Sequence, residues 1–114
     1  MEKRCCEYEF LISEGVNPKP FEKTLSVIGG KWKMRILFWV YKADVMRYGE
    51  LKKAIKTVSH KVLTDQLREL ENDGLLTRTV YNEMPPKVEY SLTAKALTLM
   101  PILSDFCDWG EANF

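Results

Sequence analysis

The sequence predicts a mostly α-helical domain with one small β-hairpin, and three observations carry that expectation. Residues 59–73, SHKVLTDQLRELEND, place Val62, Leu63, Gln66, Leu67 and Leu70 at three- and four-residue steps, the period of a helix with one apolar side. Residues 75–81 and 87–92 are rich in β-branched and aromatic side chains, with Val88, Tyr90 and Leu92 alternating against Lys87, Glu89 and Ser91. The remaining apolar runs repeat the helical period on either side of these two stretches.

The chain has 114 residues, 46% of them hydrophobic, which fits one folded domain with a real core. Its net charge of +1 is nearly neutral, so any contact with nucleic acid must rest on local clustering of charge. No apolar run reaches 18 residues, and Met1-Glu2-Lys3-Arg4 leads into Cys5-Cys6-Glu7-Tyr8-Glu9. Neither a secretory signal nor a membrane span is expected, and the cytoplasm is the expected location. Cys5, Cys6 and Cys107 are odd in number and lack CxxC spacing, as reduced thiols would be. No metal site and no cofactor are implied.

Taken in order, residues 1–19 read as an N-terminal arm with a short helix over 7–14. A breaker-rich joint, Gly15-Val16-Asn17-Pro18-Lys19-Pro20, separates it from a domain over 20–114. Phe21, Leu25 and Ile28 fall at i, i+4 and i+7, a helix that Gly29-Gly30 should stop. Gly29-Gly30-Lys31 lacks the earlier glycine, the preceding strand and the following Ser or Thr of a phosphate loop, so the glycines read as helix punctuation. Residues 31–42 are apolar around most of a helical circumference and should be buried on more than one face, which makes this the central helix or implies a partner subunit. Residues 47–55 turn Tyr48, Leu51 and Ile55 inward and leave Arg47, Lys52, Lys53 and Lys56 as a basic cluster opposed only by Glu50.

Thr57-Val58 then forms a tight turn into the 59–73 helix, which Ser59 caps and Gly74 ends. On its polar side lie His60, Lys61, Thr64, Asp65, Arg68 and Asn72. Asn82-Glu83-Met84-Pro85-Pro86 cannot continue a ladder and should form the hairpin tip. Thr93 caps a last helix, which Pro101 should kink. Its apolar set, Leu97, Met100, Leu103, Phe106 and Trp109 with Leu99 and Ile102 beside it, exceeds what one small core can bury and favours a dimer. Helix, turn, helix, then hairpin is the order of a winged helix-turn-helix, here with terminal helices forming a dimer interface.

Several short motifs, in order and at fixed spacing, then carry a family likeness. They are Ile28-Gly29-Gly30-Lys31-Trp32, Ile36-Leu37, and Tyr48-Gly49-Glu50-Leu51 after Arg47. They continue through Ser59, Lys61, Leu63-Thr64, Leu67, Leu70-Glu71 and Asp73-Gly74-Leu75, and close with residues 85–93 and Trp109-Gly110. Over about residues 20–110 the chain resembles the HxlR-type transcriptional regulators, a branch of the MarR-like winged-helix proteins. The resemblance implies a homodimer held by its terminal helices on a palindromic or near-palindromic DNA operator, with repression the expected mode.

On that reading Ser59, His60, Lys61, Thr64 and Arg68 are the candidate groove-facing residues. Arg68 or Lys61 would donate to guanine, His60 and Thr64 would meet bases or phosphates, and Ser59 would reach a phosphate near the helix N-terminus. Arg47, Lys52, Lys53 and Lys56 would neutralise phosphates, and Arg78, Asn82 and Lys87 belong to the wing. Asp65 would repel phosphate, so either it reads a cytosine amino group or the helix is rotated to point it away from the DNA, and the second is expected. Some members of the family use as an oxidant or electrophile sensor a cysteine about nine residues before the Ile of the IGGKW segment, and here that position is Lys19. Cys5, Cys6 and Cys107 remain candidate redox thiols, although Cys107, beside Phe106, also reads as a small buried hydrophobe. Trp32, Phe38, Trp39, Tyr41, Phe106 and Trp109 either pack the core and dimer or line a pocket for a small aromatic effector.

Two other classes compete. No HExxH, nucleophile elbow, CxxC or phosphate loop marks an enzyme, and His60 is the single histidine. A winged helix used for protein contact without specific DNA readout is the stronger alternative, since fold does not fix function. Convergence of the basic residues on one face discriminates the two.

Overall fold

The computed structural model describes residues 18–114; the expected arm helix, Cys5 and Cys6 lie outside the described residues. Five helices and three strands follow one another as α1 (Pro18–Ile28), α2 (Lys33–Ala43), β1 (Val45–Arg47), α3 (Tyr48–Ala54), α4 (His60–Asn72), β2 (Leu76–Tyr81), β3 (Lys87–Leu92) and α5 (Ala94–Asn113). The helix expected from Phe21 begins at Pro18. Prolines are tolerated in a first helical turn, where backbone N–H groups have no intrahelical partner.

Helix α2 supplies the centre of the core. Ile36, Leu37 and Val40 are fully buried, together with Leu51 of α3 and Leu63 and Leu70 of α4. α2 is the central helix expected, and in the single chain its Trp39 and Tyr41 are exposed. Its last residue is followed by Asp44 at φ 69°, which turns the chain abruptly into β1.

β1 is absent from the sequence-based expectation, which carried Arg47 into a helix. It pairs antiparallel with β3, Val45 opposite Ser91, Met46 opposite Tyr90 and Arg47 opposite Glu89. β2 pairs with the other edge of β3 from Leu76 opposite Leu92 to Tyr81 opposite Lys87, so the sheet order is β1-β3-β2. Met46, Leu76 and Tyr90 are the buried side chains of this small sheet, which packs through β3 on α2 and through β2 on α4.

The two ends of α4 are closed by local chemistry. Ser59 Oγ accepts from Val62 N at 3.1 Å, as the cap expectation requires. At the other end Gly74 takes φ 76°, Gly74 N donates to Glu71 O, and Leu75 N donates to Leu70 O, the paired bonds of a Schellman ending. Thr93, the cap of α5, donates from Oγ1 to Gly74 O at 2.6 Å, and Lys95 Nζ donates to Asp73 O at 2.8 Å. The end of α4 is thereby fastened to the start of α5. Helix α5 runs through Pro101 as one assigned 20-residue element. Pro101 has no N–H to give to the Leu97 carbonyl one turn earlier, and the helix continues past it.

Candidate nucleic-acid interface

Helix α4 is held from behind and presents its polar side outward. Lys33 of α2, only 5% exposed, reaches Glu69 Oε1 at 2.9 Å, and Gln66 Nε2 donates to the other oxygen of the same carboxylate at 3.2 Å. Leu63, Leu67 and Leu70 anchor the apolar side. This leaves His60, Lys61 and Arg68 exposed and Thr64 half-buried between them.

Asp65 and Lys61 form an i, i+4 ion pair at 2.9 Å. Both partners are solvated, so the pair contributes little and Lys61 can exchange a carboxylate for a phosphate at small cost. His60 is held by Tyr48 at the start of α3, whose hydroxyl lies 2.6 Å from His60 Nδ1 and 3.2 Å from His60 O. Tyr48 also packs partly against the core, as its inward-facing reading expects, but its contact with His60 is not visible in the sequence.

The wing stands beside α4. Thr64, Arg68 and Glu71 of the helix and Arg78 and Tyr90 of the sheet line a shared cleft of about 300 Å³. No ion pair holds Arg68 or Arg78 among the described residues. Lys87 is different, half-buried at 3.3 Å from Glu89 and with Nζ 4.8 Å from the centre of the Tyr81 ring. Hydrogen-bonding interaction with the neighbouring Glu89 carboxylate, together with its charge, holds the Tyr81 pKa above its ordinary value. The same interaction lowers the Glu89 pKa, reinforced by Lys87 and Arg47.

Arg47 precedes α3 with its backbone N donating to Glu50 Oε1 at 2.8 Å. Lys52 and Lys53 occupy the last turn of α3, where positive charge suits the helix dipole, and Lys56 follows at φ 40°. Asn82 is exposed at the hairpin tip. Thr64, Arg68 and Arg78 are thus gathered into one cleft; His60 and Lys61 sit one turn earlier on α4.

The six candidate pocket aromatics are not gathered. Phe38 and Tyr41 line an open groove of about 480 Å³ with Lys42, Met100, Pro101 and Ser104. Trp32 lies under Lys31 and Arg35, Trp39 under Lys42, and Trp109 meets Phe114 edge-to-face at 5.8 Å. Cys107 is exposed, contrary to its reading as a buried hydrophobe, because Ala96, Met100 and Leu103 alone turn that helix toward the core.

A capped, outward-facing helix after a short helix and turn, flanked by an antiparallel hairpin, defines a winged-helix DNA-binding protein. The model of the HxlR-like helix-turn-helix family matches residues 27–114, and the chain belongs to that family. It is 52% identical over 94 residues to the HTH-type transcriptional regulator YdzF of Bacillus subtilis, covering 82% of this chain and 86% of the relative. An HTH-type transcriptional regulator of Halalkalibacterium halodurans is 51% identical over 100 residues, 88% of each chain. Among solved structures, the redox regulator HypR in its oxidized form superposes with a TM-score of 0.77 at 45% identity, over 83% of this chain and 97% of HypR. The protein is a DNA-binding transcriptional regulator. No described helix is long and apolar enough to cross a membrane.

Proposed function

We propose that the protein works in the cytoplasm as a two-fold homodimer on a palindromic or near-palindromic operator, with α4 in the major groove and the β2–β3 hairpin as a wing, and that it represses the genes beside that operator. The observation that carries this reading is the cleft between α4 and the wing, into which Arg68 and Arg78 open without an ion-pair partner among the described residues. Two guanidinium groups fixed on different elements suit two adjacent features of a duplex, a base edge and its flanking phosphate. A two-fold dimer sets its recognition helices about 34 Å apart, one turn of DNA. Ser59, His60, Lys61, Thr64 and Arg68 face the groove, Arg47, Lys52, Lys53 and Lys56 neutralise phosphates, and Arg78, Asn82 and Lys87 serve the wing.

Fluorescence anisotropy on DNA from upstream of the protein's own gene, titrated across salt against random DNA, tests the assignment. Binding should favour one fragment and weaken steeply with salt. A Lys61→Ala, Arg68→Ala double variant should lose at least about tenfold in affinity for that fragment, the size of a lost bidentate base contact. Equal, weak binding to every fragment, unchanged in the variant, would point instead to a winged helix used for protein contact.

Control by oxidants is the companion proposal, supported by the similarity to HypR and by the exposed thiol of Cys107. The thiols available to it are Cys5, Cys6 and Cys107. Replacing all three by serine should abolish loss of operator binding on treatment with an oxidant such as diamide. An oxidant response retained by the triple variant rules the thiols out.

A further inference from the structure

The single histidine of the chain begins the helix proposed to read DNA, and its ring is fixed by a contact that the recognition of bases has not yet used. The Tyr48 hydroxyl lies 2.6 Å from His60 Nδ1 and 3.2 Å from His60 O, and the two rings meet edge-to-face with centroids 5.1 Å apart. A phenolic hydroxyl carries one proton and accepts through its lone pairs, whereas a backbone carbonyl only accepts. Were Nδ1 a bare acceptor, that one proton would have to serve both Nδ1 and the carbonyl. With the proton on Nδ1, both contacts are satisfied in series: Nδ1–H donates to the Tyr48 oxygen, and the Tyr48 hydroxyl donates to His60 O.

A neutral imidazole has one N–H and one bare nitrogen, and the hydrogen bond made by one nitrogen fixes the state of the other. Nδ1 faces Tyr48, His60 is exposed, and Nε2 has no partner among the described residues. The first turn of a recognition helix is the part that reaches base edges. In the major groove, bare Nε2 accepts only from a base that offers a donor, the N6 amino group of adenine or the N4 amino group of cytosine.

We propose that Tyr48 is a positioning residue that holds neutral His60 as the Nδ1–H tautomer, so that Nε2 selects an exocyclic amino group at one base pair of each half-site. This rests on the DNA reading above and names the chemistry His60 recognises there.

Two measurements test it. With one histidine, a long-range proton–nitrogen spectrum of the free protein at about pH 8.5, above the ordinary histidine range, reports a single ring. The expected spectrum shows Nδ1 protonated and Nε2 bare, and Tyr48→Phe shifts the ring toward Nε2–H. The second measurement uses operators in which each half-site adenine is replaced in turn by purine, which lacks only N6, or each cytosine by 2-pyrimidinone, which lacks only N4. One such deletion should cost wild type about fivefold in affinity, the scale of one net hydrogen bond. His60→Ala should be indifferent to it and Tyr48→Phe less sensitive, and the replaced base tells adenine from cytosine. Specific binding by a wild-type protein whose ring is Nε2–H overturns the proposal alone. So does a set of deletions none of which separates wild type from His60→Ala. Absence of specific binding by wild type would instead overturn the DNA reading and the base contact with it.

Discussion

Lys33 is the one charged side chain buried among the described residues, and its partner Glu69 is half-exposed on α4. The two ends of this ion pair are therefore unequal. Removing Glu69 strands an ammonium group beneath α4, whereas removing Lys33 leaves a carboxylate that water already reaches. Removing one partner of a buried pair costs about 3–5 kcal/mol because a charge is left buried and unpaired, a cost that the half-exposed Glu69 side reduces, whereas a carboxylate left in water costs little. Glu69→Ala is accordingly expected to lower unfolding stability by about 2–3 kcal/mol, and Lys33→Met by less than about 1 kcal/mol. Urea denaturation of the two variants checks this, and equal losses would show that Lys33 is solvated in solution. Neither side of the pair was legible from the sequence. Lys33 sits inside a run that reads as a buried apolar helix, and Glu69 belongs neither to the apolar stripe nor to the polar side read for α4. Their meeting depends on how α2 crosses α4. The same holds for Tyr48 and His60, 12 positions apart, whose contact no periodicity encodes.

At the scale of elements, the parts that sequence made legible are those closed by their own neighbours. Ser59, Gly74 and Thr93 end or begin helices through bonds spanning three to five residues, and each was readable for that reason. β1 was not readable. Its three residues are too few to show an alternation, and they are a strand because β3 already offers an open edge. On the far side of that sheet, the wing carries two coupled titrating groups, Tyr81 and Glu89, beside Lys87. The Glu89 pKa is lowered from 4.5, so its contribution is complete above the ordinary glutamate range and is lost as pH falls through the depressed value. The Tyr81 pKa is raised from 10.0, so its contribution is present below that value and is lost as pH rises through the elevated one. The hairpin is thus held best across the wide interval between them. Proton resonances of the Tyr81 ring should titrate above the ordinary tyrosine range in wild type. They should return toward it in Glu89→Gln, which removes both the charge and the carboxylate acceptor. A titration unmoved by that substitution would assign the shift to another group.

Across the described residues as a whole, the first and last helices carry large apolar side chains that the rest of the described fold leaves exposed. Along the 20 residues of α5 only Ala96, Met100 and Leu103 are buried, while Ile102, Phe106 and Trp109 are 63%, 65% and 63% exposed. Those three recur at i, i+4 and i+7, a stripe on one side of the helix, and Phe21 and Leu25 repeat the exposure at i and i+4 on α1. Such stripes suit a second helix pair and are costly in water. Covering them with a second copy would also explain why Thr93 and Lys95 fasten α5 so closely to the end of α4. Each recognition helix is then held in fixed relation to the dimer axis, and half-site spacing becomes a property of the protein. An Ile102→Asp, Phe106→Asp variant should therefore sediment as a folded monomer where wild type sediments as a dimer. With the two half-sites no longer engaged together, its affinity for a full operator should fall by about 100-fold or more, while binding to an isolated half-site changes little. A variant that remains dimeric would move the interface away from α5. A wild type that is monomeric at micromolar concentration would require each chain to find its half-site alone, and the palindrome would then have no structural basis.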